Sequence, residues 1–317
     1  MENWLTKRAM LTPNRMAVRF EDTTLTFAEM RQRVLTIAGQ ITQHIDGNER
    51  IALITPNNLT GYLMILAIQQ LGKTVVLLNR RLSPREMAFQ LDDAEITTVI
   101  QDDRFVGELP AVKQVAFAEI LATAAAAINP VADFDLDKVT SIMYTSGTTG
   151  NPKGVMQTFG NHFYSAVGSA LNLGLTPDDV WLAAVPIFHI SGLSIMMRSL
   201  IYGMGVSLYE RFDVAKINAE LMAGQVTTIS VVPVMLKQLL AQLPEGAKYH
   251  DRFRTMLLGG GPTDLTTLEK ATAAGIEIVQ SYGMTETASQ VIALDAASAT
   301  QKLGSAGKPL FPVEVRI

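Results

Sequence analysis

Short apolar runs alternate with amphipathic stretches along most of the chain. Runs rich in β-branched residues predict buried strands at residues 50–55, 74–78, 97–100, 141–144, 226–232, 255–258 and 277–281. Residues 62–71 predict an apolar helix that Gly72 ends, and Ser83-Pro-Arg-Glu86 predicts the start of another helix, with proline in its first turn. This alternation predicts an α/β fold in which parallel sheets carry helices on both faces.

The alanine-rich residues 121–128 and the polar residues 129–137 resemble a linker between two lobes, at about 1–138 and 139–300. The alanines could equally continue a surface helix, because alanine has the highest helix propensity. Both interpretations stay open from the sequence.

A long uncharged segment, residues 180–209 apart from Arg198, could be mistaken for a membrane span. Pro186 and two glycines interrupt it, so we expect a strand, a helix and a strand, at residues 181–185, 192–202 and 205–208. None of these reaches the roughly 20 apolar residues that a spanning helix needs. No membrane partner is therefore expected.

The amino-acid composition and net charge argue against several classes of function. The chain has 317 residues, of which 48% are hydrophobic, enough for a sizeable core. Its net charge of −4 provides no basic field for nucleic acid. It contains no cysteine, which excludes disulfides and thiolate chemistry and fits a cytoplasmic location. The four histidines are scattered, which argues against a multi-histidine metal site.

The most informative segment is Tyr144-Thr-Ser-Gly-Thr-Thr-Gly-Asn-Pro-Lys-Gly154, which follows a predicted strand. Its glycines can turn successive backbone N–H groups inward to bind an anion, while the hydroxyls and Lys153 add donors and charge. It lacks the Gly-Lys-Ser/Thr of the common NTPase phosphate loop. A solvated loop between two strands is the alternative, but the full pattern favours a loop that binds triphosphate.

Three further motifs follow apolar runs. Gln280-Ser-Tyr-Gly-Met-Thr-Glu286 offers an aromatic face, a hydroxyl and a carboxylate that suits magnesium. Leu257-Leu-Gly-Gly-Gly-Pro262 lets a flat ligand lie on backbone, and Pro186-Ile-Phe-His-Ile-Ser-Gly192 places His189 on an apolar run. Each has a plain alternative: a capped turn, an ordinary strand-to-helix turn and a core histidine.

Arg198 is the only fixed charge between Asp179 and Glu210. A buried guanidinium needs a partner, and the sequence supplies no nearby carboxylate. The side chain could reach solvent along its aliphatic stem. Alternatively, a ligand brings the carboxylate, which the planar guanidinium would hold with two hydrogen bonds.

Together these motifs resemble the adenylate-forming superfamily, which includes acyl-CoA synthetases, non-ribosomal adenylation domains and luciferases. The first loop matches S-G-T-T-G-x-P-K-G, with Asn151 at the variable position, and the second motif matches Y-G-x-T-E. The resemblance implies the large N-terminal domain of that fold: two doubly wound, mostly parallel sheets flanked by helices. Residues 301–317 would begin a β-barrel subdomain. It also implies ATP, Mg²⁺ and, as co-substrate, CoA.

The same resemblance implies a role for each motif residue. Lys153, His189, Thr285 and Glu286 would be catalytic, with Thr285 at the α-phosphate and Glu286 on magnesium. The residues implied in nucleotide binding are Thr145, Ser146, Gly147, Thr148, Thr149, Gly150, Lys153, Gly259, Gly260, Gly261, Pro262, Ser281, Tyr282, Gly283, Met284 and Thr285. Those implied in binding the acid are His189, Ser191, Arg198 and Gly260.

Within the superfamily, Gln157-Thr-Phe-Gly-Asn-His162, residues 165–174 and the opening Asn3-Trp-Leu5 resemble the 2-succinylbenzoate–CoA ligases of menaquinone biosynthesis. That resemblance implies activation of 2-succinylbenzoate as an acyl-adenylate, followed by transfer to CoA. Arg198 would hold the aryl carboxylate, with His189 beside the acyl chain.

Three superfamily elements have no match in the 317 residues: a ribose-binding T-G-D segment, a hinge, and the lysine of a small C-terminal domain. We therefore expect a truncated chain with impaired turnover. The alternatives are a ligase for another carboxylic acid and a non-catalytic nucleotide-binding fragment. Ile187-Phe-His189 lacks the acidic residue typical of amino-acid activators, and a homo-oligomer is left open.

Overall fold

The computed structural model describes residues 1–105, 109, 112–145 and 150–316. Its strands are β1 (Met16–Phe20), β2 (Thr23–Thr26), β3 (Arg50–Ile54), β4 (Thr74–Leu77), β5 (Thr98–Gln101), β6 (Lys113–Ala116), β7 (Val139–Thr145), β8 (Lys153–Thr158), β9 (Val180–Ala183), β10 (Gly205–Leu208), β11 (Thr228–Val231), β12 (Thr255–Leu258), β13 (Ile278–Met284), β14 (Ser289–Leu294) and β15 (Lys308–Pro309).

The helices are α1 (Trp4–Leu11), α2 (Phe27–Ile41), α3 (Leu59–Gln70), α4 (Pro84–Asp93), α5 (Phe117–Ala122), α6 (Phe159–Leu173), α7 (Ile190–Tyr202), α8 (Val214–Met222), α9 (Pro233–Gln242), α10 (Leu265–Ala273) and α11 (Ala296–Ala299).

The strands form two mostly parallel sheets. The six-stranded sheet has the order β6-β5-β3-β4-β7-β8, and only β8 runs antiparallel to its neighbour. The nine-stranded sheet has the order β15-β14-β13-β12-β11-β9-β10-β1-β2. Its centre is parallel, whereas β2, β14 and β15 pair antiparallel at the two edges. The predicted α/β class with two helix-flanked, mostly parallel sheets is confirmed.

Each of the two sheets contains strands from both sides of residue 138, where the sequence predicts a boundary between lobes. β7 and β8 follow that residue but complete the first sheet, while β1 lies beside β10 in the second sheet, with Val18 opposite Val206. The alanine-rich stretch is helical only to Ala122. The segment after it is tied to the N-terminus and to α3, through a bridge between Glu2 and Asp133 and through other backbone hydrogen bonds.

Local sequence explains where many helices begin. Ser83 and Glu86 form a reciprocal capping box at α4, with Pro84 as the first helical residue, as the sequence predicts. Thr158 and Asn161 form an equivalent pair at α6. α3 is apolar on every side and almost wholly buried, because it packs inside the molecule rather than on its surface.

One continuous core joins the two sheets. Trp4 packs edge-on against Phe134 and Phe159, with ring centroids 5.6 and 5.4 Å away, and those two phenylalanines stack at 4.0 Å. α7 contacts α1, α6 and both strands that flank it in sequence, β9 and β10. Residues 180–209 thus form strand, helix and strand as predicted, and no helix of the described chain is long and apolar enough to span a bilayer.

Four parallel strands bring the predicted motifs to one region. β7 ends at Thr145, β9 leads to Pro186, β12 leads to Gly259, and β13 ends at Met284. Ligands of parallel α/β sheets bind beyond the carboxyl ends of the strands. The fold therefore places all four motifs where a ligand site is expected.

Candidate active site

A cavity of about 510 Å³ opens between the carboxyl ends of the two sheets. Its wall is contributed by the hairpin β7–β8, by α7 and by the segments that follow β9, β11, β12 and β13. The lining residues are Thr145, Lys153, Val185, Ile190, Ser191, Ser194, Arg198, Ser230, Val231, Val232, Leu257, Gly259, Gly260, Ser281, Gly283, Met284, Thr285, Glu286, Ser289 and Gln290. Most of the predicted site residues within the described ranges meet here.

The predicted phosphate loop connects two antiparallel strands, with Thr145 directly opposite Lys153. Both residues line the cavity, and the Lys153 side chain is exposed to it. Gly150 adopts φ +142°, a conformation that favours glycine. Ser146, Gly147, Thr148 and Thr149 lie outside the described residues.

Thr285 and Glu286 occupy a single 3₁₀ turn after β13. The carboxylate of Glu286 is exposed, and Thr285 is half-buried beside it. Both line the same cavity as Lys153. The backbone carbonyl of Thr285 accepts a hydrogen bond of 2.7 Å from Gln157 Nε2, which fixes the turn against β8. A mobile cation, a hydroxyl and a carboxylate thus share one wall, an arrangement suited to a phosphate chain with a divalent ion.

A second cavity of about 440 Å³ adjoins the first and shares Gly260, Ser281 and Gly283 with it. Its other lining residues are Leu258, Gly261, Pro262, Thr263, Gln280, Tyr282, Gly304, Ser305 and Ala306. Tyr282 is 49% exposed, so its ring can offer a face to a ligand. Two buried polar atoms in this wall, Thr263 Oγ1 and Gln280 Nε2, have no hydrogen-bond partner in the described chain.

Gly283 lines both cavities and lets the adjacent strand β14 approach β13 closely. A Cβ at this position would lie 2.0 Å from the backbone oxygen of Ser289 on the adjacent strand β14. Any side chain would therefore push β13 and β14 apart and move the turn that carries Glu286. By contrast, a Cβ at Gly261 would meet only one atom, 4.0 Å away on Pro233.

Arg198 lies on α7 with only 2% of its surface exposed, so its side chain does not reach bulk solvent. Its guanidinium lines the first cavity, 5.3 Å from the centroid of the Trp181 ring. Its Nη2 donates a long 3.4 Å hydrogen bond to Ser289 Oγ. No carboxylate in the described residues lies within ion-pair distance of it, and its Nε has no partner there. Burial lowers the pKa of this guanidinium, and the nearby Tyr202 opposes part of that shift.

Several serines line the same cavity as Arg198. Ser194 Oγ donates to Ser289 Oγ at 3.4 Å, and Ser191 lines the same wall. Ser289 adopts φ +99° and follows Ala288 at φ +51°, two consecutive left-handed residues that are not glycine. Such conformations are costly and persist where the surroundings impose them. Here they turn the Ser289 hydroxyl towards Arg198.

His162 lies behind this wall, fully buried on α6. Burial, with a smaller contribution from the Arg198 charge, lowers its pKa to about 4. It is therefore neutral at physiological pH. Its Nε2 lies 2.9 Å from Ser141 Oγ.

Among the described site residues that the sequence predicts, His189 and Gly150 line neither cavity. His189 is exposed at the position before α7, and its ring packs against Phe188 with centroids 4.6 Å apart. Its neighbours Ile190 and Ser191 line the cavity, but His189 is not among the lining residues. Desolvation lowers the pKa of its imidazole.

Several lining residues were missed by the sequence reasoning. Ser230 and Val231 end the apolar strand β11 and Val232 follows it, so their position at a strand end is the available signal. Ser289 and residues 304–306 carry no local signal, because they reach the cavities only through the pairing of β13, β14 and β15.

The resemblance to the adenylate-forming superfamily also implies a magnesium ion. Among the described residues there is no group of three His, Asp or Glu side chains that could enclose a metal ion. Magnesium commonly uses one or two carboxylates and completes its shell with water and substrate phosphates. The exposed Glu286 carboxylate, on the same wall as Lys153, fits that type of site.

Comparisons with known proteins agree with this geometry. Residues 5–317 match the family described as AMP-binding enzyme. The 2-succinylbenzoate–CoA ligase of Listeria innocua is 48% identical over the whole chain, which covers 67% of that protein. The chain thus spans about two thirds of the length of this curated relative.

Two solved structures of o-succinylbenzoate CoA synthetase (MenE) from Bacillus subtilis are also similar. One, in complex with the acyl-adenylate intermediate OSB-AMP, has 43% identity and a TM-score of 0.93, with 98% of this chain and 64% of that chain covered. The other, in complex with ATP and magnesium ion, has 43% identity and a TM-score of 0.93, with 98% and 66% covered.

Proposed function

The chain belongs to the AMP-binding enzyme family, among the 2-succinylbenzoate–CoA ligases, and from that premise we propose that its two joined cavities bind 2-succinylbenzoate and ATP for formation of an acyl-adenylate. The proposal extends to transfer of the acyl group to CoA, which makes the enzyme an acid–thiol ligase of menaquinone biosynthesis. A cytoplasmic location fits this proposal, because ATP and CoA are both available there.

The observation that carries the proposal is the buried Arg198 guanidinium without a carboxylate partner in the described residues. An unpaired buried charge costs several kcal/mol, so it is retained only where something compensates for it. A dicarboxylic acid with an aryl carboxylate would supply the missing anion. Ser191, Ser194 and Ser289 would then donate further hydrogen bonds to it.

The apolar walls support an aromatic body for this acid. Val185, Ile190, Val231 and Leu257 line the first cavity between Arg198 and the glycine segment. With the aryl carboxylate on Arg198, the aliphatic carboxylate would extend towards Gly260 and Thr285. In this proposal His189 does not contact the acyl chain, because it is not a lining residue of the first cavity.

The nucleotide takes the second cavity and the shared wall. Gly259, Gly260, Gly261, Pro262 and Tyr282 would hold the adenine, and Ser281, Gly283 and Met284 would line its path to the phosphates. Thr145, Gly150 and Lys153, with the loop residues 146–149, would bind the β- and γ-phosphates. Thr285 would contact the α-phosphate, and Glu286 would hold magnesium, which neutralises phosphate charge when bound.

The reaction follows from this placement. A carboxylate oxygen of the acid forms a bond to the α-phosphorus, and the bond from that phosphorus to the bridging oxygen of pyrophosphate breaks. The thiol sulfur of CoA then bonds to the acyl carbon and loses its proton to solvent, while the bond from that carbon to the phosphate oxygen breaks and releases AMP. The protein contributes alignment of the two reactants and stabilisation of the charge around phosphorus, mainly through Lys153 and Thr285.

Pyrophosphate release that depends on the acid tests this function. The chain is incubated with magnesium and ATP, and 2-succinylbenzoate is compared with benzoate and with succinate. Release stimulated by 2-succinylbenzoate alone supports the proposal. Stronger stimulation by benzoate or succinate would indicate a ligase for another acid. Release that no acid stimulates would indicate ATP cleavage without acyl-adenylate formation, and ATP binding without any release would indicate a nucleotide-binding protein that does not adenylate.

A further inference from the structure

Gln157 links the two sheets at the proposed phosphate site. It lies on β8 and is only 2% exposed. Its Nε2 donates to the backbone oxygen of Thr285 at 2.7 Å, and its Oε1 accepts from Ser141 Oγ at 2.9 Å. Because a carbonyl oxygen only accepts, the NH₂ of the amide must face Thr285, which fixes the orientation of the side chain.

Ser141 continues this chain of hydrogen bonds to His162. The single hydroxyl proton of Ser141 is used towards Gln157, so its oxygen accepts from His162 Nε2, 2.9 Å away. The neutral imidazole then carries its proton on Nε2, while the buried Nδ1 has no partner among the described residues. Donation therefore runs in one direction, from His162 through Ser141 and Gln157 to Thr285.

These hydrogen bonds join two parts of the proposed site that belong to different sheets. β8 begins at Lys153 and carries Gln157 four positions later in the six-stranded sheet. Thr285 and Glu286 follow β13 of the nine-stranded sheet. β8 and the Thr285–Thr287 turn are in contact, and the Gln157 hydrogen bond lies within that contact.

We propose that Gln157 is a positioning residue, oriented by Ser141 and His162, that holds the Thr285–Glu286 turn in register with Lys153 so that both sides grip the phosphates of one nucleotide. This inference rests on the proposed function, because it assigns those groups to ATP. Gln157 itself touches no reacting atom; it acts through Thr285.

The isosteric variant Gln157→Glu tests the inference. It keeps an acceptor for Ser141 but places a second oxygen against the Thr285 carbonyl, which repels the turn. We expect the affinity for magnesium–ATP, measured by calorimetry, to fall about tenfold. The affinity for adenosine should change much less, because no residue that lines the second cavity is a hydrogen-bond partner of Gln157. A purely structural role would weaken both ligands together.

The pH dependence of magnesium–ATP affinity in Gln157→Glu provides a second measurement. Burial raises the pKa of a carboxyl group, and the protonated form of the introduced group can donate to the Thr285 oxygen again. The loss of magnesium–ATP affinity relative to wild type should therefore shrink from about pH 8 to about pH 6. A loss that is independent of pH would contradict the hydrogen-bond account.

Gln69→Glu is the matched control. Gln69 is also 2% exposed, and its Nε2 donates to Thr140 Oγ1 at 2.9 Å, away from the turn. It should lower the free energy of unfolding to a similar degree yet leave magnesium–ATP affinity intact. Should Gln157→Glu fail to fold, Ser141→Ala frees the amide and should weaken magnesium–ATP in the same selective way.

The outcomes separate the two proposals. Wild-type chain that binds magnesium–ATP, together with Gln157→Glu that binds it equally well, would overturn the inference and leave the proposed function standing. Equal losses in Gln69→Glu and Gln157→Glu would do the same. Wild-type chain that binds no magnesium–ATP would reject the proposed function, and the inference with it.

Discussion

The guanidinium of Arg198 lies 5.3 Å from the centroid of the Trp181 ring, so an aromatic face supports this buried charge. A cation over an aromatic ring gains about 2 kcal/mol when desolvated, less than the cost of burying an unpaired ion. In the described residues the hydroxyl of Ser289, at 3.4 Å, and the nearby Tyr202 also favour this charge. These contacts do not replace the carboxylate that we propose as the partner of Arg198.

Arg198→Met should separate binding from stability. Without ligand, removal of the unpaired charge should raise the free energy of unfolding by about 1 kcal/mol or more, measured by urea denaturation. Binding of 2-succinylbenzoate should be lost, while ATP affinity changes little. Arg33→Met, at an exposed position, serves as the control and should leave all three quantities unchanged. Equal losses of acid and ATP affinity in Arg198→Met would contradict the assigned role.

Glu286→Gln should weaken ATP only when magnesium is present. The side chain is exposed, so the free energy of unfolding should not change measurably. Removal of one carboxylate ligand should reduce magnesium–ATP affinity by about tenfold. Titrations with and without a chelator provide the measurement. The same loss in the chelated sample would show that Glu286 does not act through the metal.

Gly283→Ala should destabilise the protein and disturb both cavities. Its Cβ would lie 2.0 Å from the Ser289 backbone oxygen, and relief of this clash requires a shift of the backbone. We expect a loss of about 2–3 kcal/mol in the free energy of unfolding. Gly261→Ala, with only one atom within 4.0 Å, should keep wild-type stability in the same assay. Similar stabilities for the two variants would count against the close packing of β13 and β14.

His162 predicts a dependence of stability on pH. Its pKa is lowered to about 4 in the folded protein, below the value of about 6.5 for an unfolded chain. The folded state therefore resists protonation while the unfolded state accepts it, so the stability present above pH 6.5 is lost as pH falls towards 4. This single group should account for at most about 3 kcal/mol of that loss.

Chemical denaturation at a series of pH values checks this sign. His162→Asn should flatten the fall in unfolding free energy between about pH 6.5 and about pH 4. The comparison uses slopes, so a general loss of stability in the variant does not affect it. Parallel curves for wild type and variant would show that His162 does not titrate in this range.

Local sequence predicted the elements of the fold well. The capping box at Ser83 and the apolar run at Thr255–Leu258 are specified within a few residues, and the structure agrees with both. Residues 226–232 were predicted as one strand, but only Thr228–Val231 pair. Local sequence does not specify how the strands are divided between the two sheets. The pairing of β1 with β10, for example, joins segments that are far apart in sequence.

Some features of the candidate site are visible in the sequence, whereas others depend on how the chain folds. The isolated charge of Arg198 and the glycine-rich segments are visible in the sequence, because composition alone marks them. The orientation of Ser289 depends on a left-handed backbone that nothing in its residue type favours. The link from Gln157 to Thr285 spans 128 positions, and only the packing of the two sheets brings these residues together.

The most direct test of the account is calorimetric binding of a non-hydrolysable 2-succinylbenzoyl-adenylate mimic to the wild-type chain and to Arg198→Met. A benzoyl analogue without the succinyl chain and the second carboxylate is measured in parallel. We expect tight binding of the full mimic to wild type, weaker binding of the analogue, and no preference between the two in Arg198→Met. Equal affinity of both compounds for the wild-type chain would contradict the assignment of Arg198 to the acid's free carboxylate.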